Sequence, residues 1–227
     1  MTVQRNPAVV DVSLRQVQNE RIHSAAAGPL QTVNYSSHCT MKILIVGGGV
    51  GGLAVYHALR KHLGGDDDAT GVSIKVVESH ESPARNSLSI GGGLGIAPNG
   101  LQAINSLSPE ALNYVKNHSF AVSSMTFRNS TGRSLGQSSI DPQRFKFQLL
   151  LARRAVIYEA LLPGLRQEDI RWGLEVLAVR LQDDGAGVIV EYADGTTEVV
   201  DLVIGADGVR SKVKDSLFNG QFPATYK

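Results

Sequence analysis

The sequence predicts an α/β fold: a parallel βαβ core with an antiparallel β-meander attached. Three observations predict it. An apolar, β-branched run, Lys42–Val46 (KILIV), passes through a glycine turn and a helical stretch into a second such run, Ser73–Glu78 (SIKVVE). Beyond Arg171 the chain alternates short apolar runs with Gly-rich turns, which is the pattern of β-hairpins. The run Asp201–Gly205 (DLVIG) then returns to the character of the first strand, as a buried strand would.

The elements follow in order. Lys42–Val46 reads as a strand buried on both faces, and Gly47–Gly52 as a turn. Gly52–Leu63 reads as a helix with Leu53, Val55, Leu59 and Leu63 inward. The polar stretch Gly64–Gly71 is a loop, and Ser73–Glu78 is a second strand. Strand, helix and strand make a βαβ unit, so the two strands are expected parallel with a right-handed crossover. A second glycine cluster, Gly91–Gly95, precedes two helices, Pro98–Leu107 and Pro109–His118, the latter capped by Ser108. Phe120–Arg128 alternates like a half-exposed strand and turns at Ser130-Thr131-Gly132. Leu149–Leu165 reads as one helix closed by Pro163-Gly164. Arg171–Gln182 and Val188–Tyr192 read as strands, and Ala193-Asp194-Gly195 as a hairpin turn into Thr196–Val200.

Composition bounds the function. The 227 residues carry 22 Lys+Arg against 21 Asp+Glu, a formal charge of +1. Such a balance lacks the basic footprint of a nucleic-acid or acidic-membrane binder. No apolar run approaches the ~18 residues of a membrane span. The single cysteine, Cys39, excludes an internal disulfide framework and a Cys-based zinc site. The six histidines show no metal-ligand spacing, so no metal site is expected. These features describe a soluble protein of a reducing compartment, expected in the cytoplasm, with a mitochondrial destination as the alternative for the leader. Residues 1–40 hold three Arg, one Asp and one Glu among polar residues, and read as a disordered leader or a mis-assigned extension. Met41 is the candidate start; the alternative is an ordinary internal Met.

The glycines cluster where chemistry is expected. Gly47, Gly49 and Gly52 fit G-x-G-x-x-G between a buried strand and a helix. Gly47 permits the tight turn, Gly49 lets backbone approach a pyrophosphate, and Gly52 lets helix and strand pack closely. The helix N-terminus offers free N–H groups to phosphate. Glu78 ends the second strand, 31 residues after Gly47, or 23 once the 64–71 loop is set aside. There its carboxylate can accept from ribose hydroxyls; the alternative is a surface acid at a strand end. An adenine dinucleotide, FAD or NAD, is the expected ligand. A 2′-phosphate would meet Glu78 with like charge.

Val203–Ser211 (VIGADGVRS) adds a strand running into G-A-D-G-x-x-S. With that segment the chain resembles the FAD-dependent aromatic hydroxylases of the para-hydroxybenzoate and salicylate hydroxylase type, over about residues 41–227. Gly91–Asn99 (GGGLGIAPN), which contains Gly93, is similar to the family segment that passes near the flavin. Arg154 resembles the family's Arg at the head of a helix, which contacts the cofactor; Arg153 competes for that role. Asp207 and Gly208 resemble the family's Asp-Gly motif, implicated in FAD and NAD(P)H binding. Asp207 can also cap a helix whose first turn is Val209–Lys212. Arg85 is a looser flavin-side candidate, and Ala193-Asp194-Gly195 only superficially repeats the Asp-Gly motif.

The resemblance implies a Rossmann-like FAD-binding core, incomplete at the C-terminus, in residues 41–227. Strands at about 120–148 would then belong to an incomplete substrate domain. It implies a monooxygenase that uses NAD(P)H and O₂ to hydroxylate an aromatic or related small molecule. No catalytic residue is assigned. The family's later Gly-Asp-Ala-Ala-His-like motif has no counterpart before Lys227, so the chain is expected to be partial, with a partner or a missing C-terminal half. Two alternatives stay open: a non-catalytic dinucleotide-binding remnant, and an FAD-dependent reductase or epoxidase of the same fold.

Overall fold

The computed structural model describes residues 41–64, 71–83, 92–139, 145–183 and 185–223. The chain divides into Met1–Ser37 and His38–Lys227, and everything described lies in the second unit. The leader, most of the 64–71 loop, Arg85 and Gly91 fall outside the described residues.

The expected βαβ unit is present. Strand β1 (Met41–Val46) leads into helix α1 (Val50–Leu63) and strand β2 (Val72–Glu78). The two strands pair in parallel, with Ile43 beside Ile74 and Val46 beside Val77. Their alternate side chains serve two cores, because successive residues of a strand face opposite ways. Ile43, Ile45, Ile74 and Val76 pack with Tyr56 of α1. Leu44, Val46 and Val77 pack with Val176, Val190, Tyr192 and Val200. Such a strand reads as a continuous apolar run rather than an alternating one.

Strand β3 (Gly93–Ile96) is followed by helices α2 (Pro98–Leu107) and α3 (Pro109–Asn117). The Ser108 Oγ accepts from the Ala111 N–H at 3.1 Å, which caps α3. Strands β4 (Phe120–Val122), β5 (Ser124–Arg128) and β6 (Ser134–Ser139) come next, then β7 (Leu149–Arg153) and helix α4 (Arg154–Leu161). The antiparallel sheet β3-β7-β4 supports a third core, built from α2, α3, α4 and Leu53. Hairpin β5–β6 is exposed along its whole length. Strand β8 (Ile170–Trp172) precedes the meander β9 (Val176–Leu181), β10 (Val188–Tyr192) and β11 (Thr197–Val200). Strand β12 (Leu202–Gly205) and helix α5 (Lys212–Leu217) follow. The parallel sheet has the order β12-β1-β2-β8.

Five expectations are corrected. Leu149–Leu165 is not one helix: Leu149–Arg153 is the central strand of its sheet, paired with β3 and β4. Leu150 and Ala152 face in while Leu151 and Arg153 face out, so two-sided pairing overrides the helical propensity of Leu, Ala and Arg. Arg171–Gln182 is not one strand, because Gly173 takes a φ of +71° and turns the chain from the parallel sheet into the meander. Phe120–Arg128 is likewise two strands, since β4 pairs with β7 and β5 with β6. On α1, Tyr56 is buried at 1% exposure and Leu63 is 44% exposed, because the last turn, Lys61 to Leu63, lies open to solvent. Asp201–Gly205 is not a buried strand but a partly exposed edge, which among the described residues pairs only with β1.

Candidate functional site

The C-terminal ends of β1, β2 and β12 converge on one cleft of about 830 Å³. In an open parallel sheet this is where ligands are expected, because the loops leaving the strands meet there. Gly47, Gly49, Val50 and Gly51 line it from the first turn, Glu78, Ser79 and His80 from the end of β2. Arg154 and Ile157 of α4, Leu174–Val176 ahead of the meander, and Ala206–Gly208, Arg210 and Lys212 complete it.

The first turn is built as its glycines require. Gly47 has a φ of +103°, and a Cβ there would lie 2.5 Å from the Ala206 carbonyl oxygen. A Cβ on Gly52 would lie 1.8 Å from the Gly47 carbonyl oxygen, so turn and helix touch through backbone alone. Gly49 is the N-cap of α1 with extended backbone, and its carbonyl accepts from the Leu53 N–H at 2.9 Å. The first α1 amides have no intrahelical partner by construction, and Val50 and Gly51 line the cleft. This is an anion-ready helix terminus.

Glu78 closes the other side and is 6% exposed. Its Oε2 accepts from the Gly48 N–H at 2.6 Å. Its Oε1 accepts from the His80 N–H at 3.0 Å, the His80 ring Nδ1 at 2.5 Å and the Ser79 hydroxyl at 3.2 Å. Burial pushes the carboxyl up, but the bonds from His80 and Gly48 outweigh it and hold Glu78 below the usual carboxylate range. Glu78 therefore stays ionised at neutral pH and can only accept hydrogen bonds.

Asp207 sits between β12 and α5. Its carboxylate accepts from the Ser211 hydroxyl at 2.6 Å and from the Lys212 and Val213 amides at 2.6 and 3.2 Å. It thus ties down the helix start, although one turn later than expected. Gly208–Arg210 is a 3₁₀ turn, and α5 begins at Lys212 with Ser211 as N-cap. Gly208 takes a φ of +76°. Arg154 opens α4 and lines the cleft, whereas Arg153 at the end of β7 is not part of the lining. Gly93 pairs with Arg153 in the sheet and also lies outside the lining; its neighbour Leu94 is inside. Sequence reasoning passed over Ser79, His80 and Leu174–Val176. His80 was findable, two residues past Glu78 at the same strand end; the approach of Leu174–Val176 depends on the Gly173 turn. Among the described residues no group of His, Cys, Asp and Glu could hold a metal ion, and no helix is long and apolar enough to cross a membrane.

Fold and cleft together define a Rossmann-like α/β domain whose first glycine turn opens onto the cleft. No family model matches the chain. It is 30% identical over 183 residues to an FAD-dependent monooxygenase of Penicillium paxilli, covering 79% of this chain and 35% of that protein. It is 28% identical over 186 residues to the 6-hydroxynicotinate 3-monooxygenase of Pseudomonas fluorescens, covering 80% of this chain and 44% of that protein. A crystal structure from Photorhabdus luminescens, described as an FAD-containing monooxygenase, superposes with a TM-score of 0.62 at 28% identity. That match covers 79% of this chain and 42% of the other. The chain is thus similar to FAD-dependent monooxygenases, and it spans 35% and 44% of the length of these two curated relatives.

Proposed function

We propose that residues 41–227 form the adenosine-and-pyrophosphate end of an FAD site in a monooxygenase that acts on an aromatic or related small molecule. NAD(P)H and O₂ are the proposed co-substrates. One observation carries the reading: the Gly47–Gly52 turn and the Glu78 carboxylate, far apart in sequence, face one cleft with Asp207 and Arg154 on its walls. The α1 amides supply donors to pyrophosphate. Glu78 supplies an ionised acceptor to ribose. Arg154 supplies a positive charge beside the phosphates, and the Asp207 turn holds the far wall in place. When bound, the flavin supplies the redox and oxygen chemistry, and the protein's share is binding, orientation and exclusion of water. The names of the relatives support FAD over NAD and support the monooxygenase assignment.

Gly49→Asp tests the site cleanly. Gly49 has ordinary extended dihedrals at an N-cap, where Asp is favoured, so the fold is expected to survive. The new carboxylate and its bulk lie where phosphate must come. FAD titration followed by fluorescence is expected to show binding in the parent chain and none in the variant. Equal retention of FAD by both would remove the phosphate-turn assignment. The activity is tested separately, by NAD(P)H oxidation with FAD and a panel of phenols and hydroxypyridines. Hydroxylated product formed in step with NAD(P)H consumption supports the monooxygenase reading, and peroxide alone counts against it for this chain.

A further inference from the structure

The bonds around Glu78 leave the ribose half served. A carboxylate has about four lone-pair sites, roughly two on each oxygen. Oε1 already accepts from the Ser79 hydroxyl, the His80 amide and the His80 ring, while Oε2 accepts only from the Gly48 amide. Only Oε2 has room for a ligand hydroxyl, yet a ribose diol presents two. His80 lines the same cleft, and its side chain is 38% exposed. Because an ionised carboxylate only accepts, the Nδ1 facing Glu78 carries a proton. The other ring nitrogen, Nε2, points away from Glu78 and has no hydrogen-bond partner among the described residues. The ring is not free to wander. The Gly173 N–H donates to the His80 carbonyl at 2.9 Å, and the Leu174 N–H donates to the Glu78 carbonyl at 3.0 Å, pinning the 78–80 turn.

We propose that His80 is a second ribose-binding residue: Glu78 takes one ribose hydroxyl on Oε2, and His80, anchored through Nδ1, takes the neighbouring hydroxyl on Nε2. Neutral Nε2 accepts from a hydroxyl and protonated Nε2 donates to one, so the contact survives either charge state of the ring. The inference rests on the dinucleotide reading of the cleft.

The test uses residues 1–227 and three ligands, ADP, 2′-deoxy-ADP and 3′-deoxy-ADP, measured by calorimetry with FAD as reference. His80→Asn keeps an N–H able to hold Glu78 Oε1 and removes the distal nitrogen; His80→Ala removes both, and thermal melts confirm folding. His80→Asn is expected to lower ADP affinity roughly fivefold, the loss of one hydrogen bond. With one of the two deoxy analogues, the parent and His80→Asn are expected to bind equally, because the hydroxyl that met Nε2 is gone. Unchanged ADP affinity overturns the proposal. So does an equal loss for all three ligands, which would make His80 a support for Glu78 and nothing more. A parent chain that binds neither ADP nor FAD overturns the dinucleotide reading itself, and this inference with it.

Discussion

The Gly48 N–H donates to Glu78 Oε2 at 2.6 Å, across 30 residues of sequence and inside the protein. The bond joins the turn after β1 to the end of β2, so the Glu78 carboxylate braces the glycine turn. Glu78→Ala strands a buried donor, which costs about 1–3 kcal/mol. Urea unfolding is expected to show that loss, together with weaker FAD binding. Glu78→Gln keeps an acceptor and is expected to lose less stability. Identical unfolding curves for Glu78→Ala and the parent would show that the bond contributes nothing to the fold.

Two adjacent glycines separate packing from propensity. A Cβ on Gly52 would meet the Gly47 carbonyl oxygen at 1.8 Å, while one on Gly51 meets nothing within 4 Å. Gly52→Ala must push α1 off the turn, at a cost of about 1–3 kcal/mol or more. Gly51→Ala is expected to be neutral or stabilising by up to ~1 kcal/mol, because it only reduces chain entropy in a helix. Thermal melts of the pair should move in opposite directions, and a common shift would contradict the contact.

Arg154 and Arg153 are neighbours with different surroundings. Arg154 lines the cleft and Arg153 leaves the sheet outside it. Arg154→Ala is expected to weaken FAD binding roughly tenfold, as loss of a charge-assisted phosphate contact does. Arg153→Ala should bind FAD like the parent. Reversed effects in the titration would move the cofactor contact to Arg153.

Asp169, 1% exposed, accepts from the Tyr56 hydroxyl at 2.6 Å, Arg166 Nε at 2.7 Å and Lys75 Nζ at 2.9 Å. Burial pushes its carboxyl up, but the bonds from Arg166, Tyr56 and Lys75 prevail and bring it down to about 2. A carboxyl depressed in the folded state stabilises above its ordinary value of 3.8, and the gain disappears as pH falls toward 2. Its contribution at neutral pH is on the order of 2 kcal/mol. Stability measured from pH 6 to pH 2 should fall less steeply in Asp169→Asn, which is already weakened at pH 6. Parallel pH profiles for the two proteins would exclude this role.

Much of the site was legible in the sequence because its parts are local. Lys42–Val46, the Gly47–Gly52 turn and α1 follow from apolar runs and glycine spacing, and α2 and α3 from Pro98, Ser108 and Pro109. Glu78 stood out as an acid ending a strand. Each depends on forces acting within a few residues, so each leaves a pattern in the chain. What the sequence could not settle is what distant segments do to one another. Leu149–Arg153 has a composition that suits helix or strand, and only pairing with β3 and β4 makes it a strand. That choice starts α4 at Arg154 and places Arg154 on the cleft lining, with Arg153 outside. The Gly173 turn likewise brings Leu174–Val176 to the cleft and fastens the 78–80 turn. Glu78 Oε1 is loaded by its own neighbours Ser79 and His80, whereas the Gly48 bond that holds Oε2 against the glycine turn spans 30 residues and exists only once β1 and β2 have paired. Local propensity acts on neighbours in sequence, whereas burial and hydrogen-bond satisfaction act on neighbours in space.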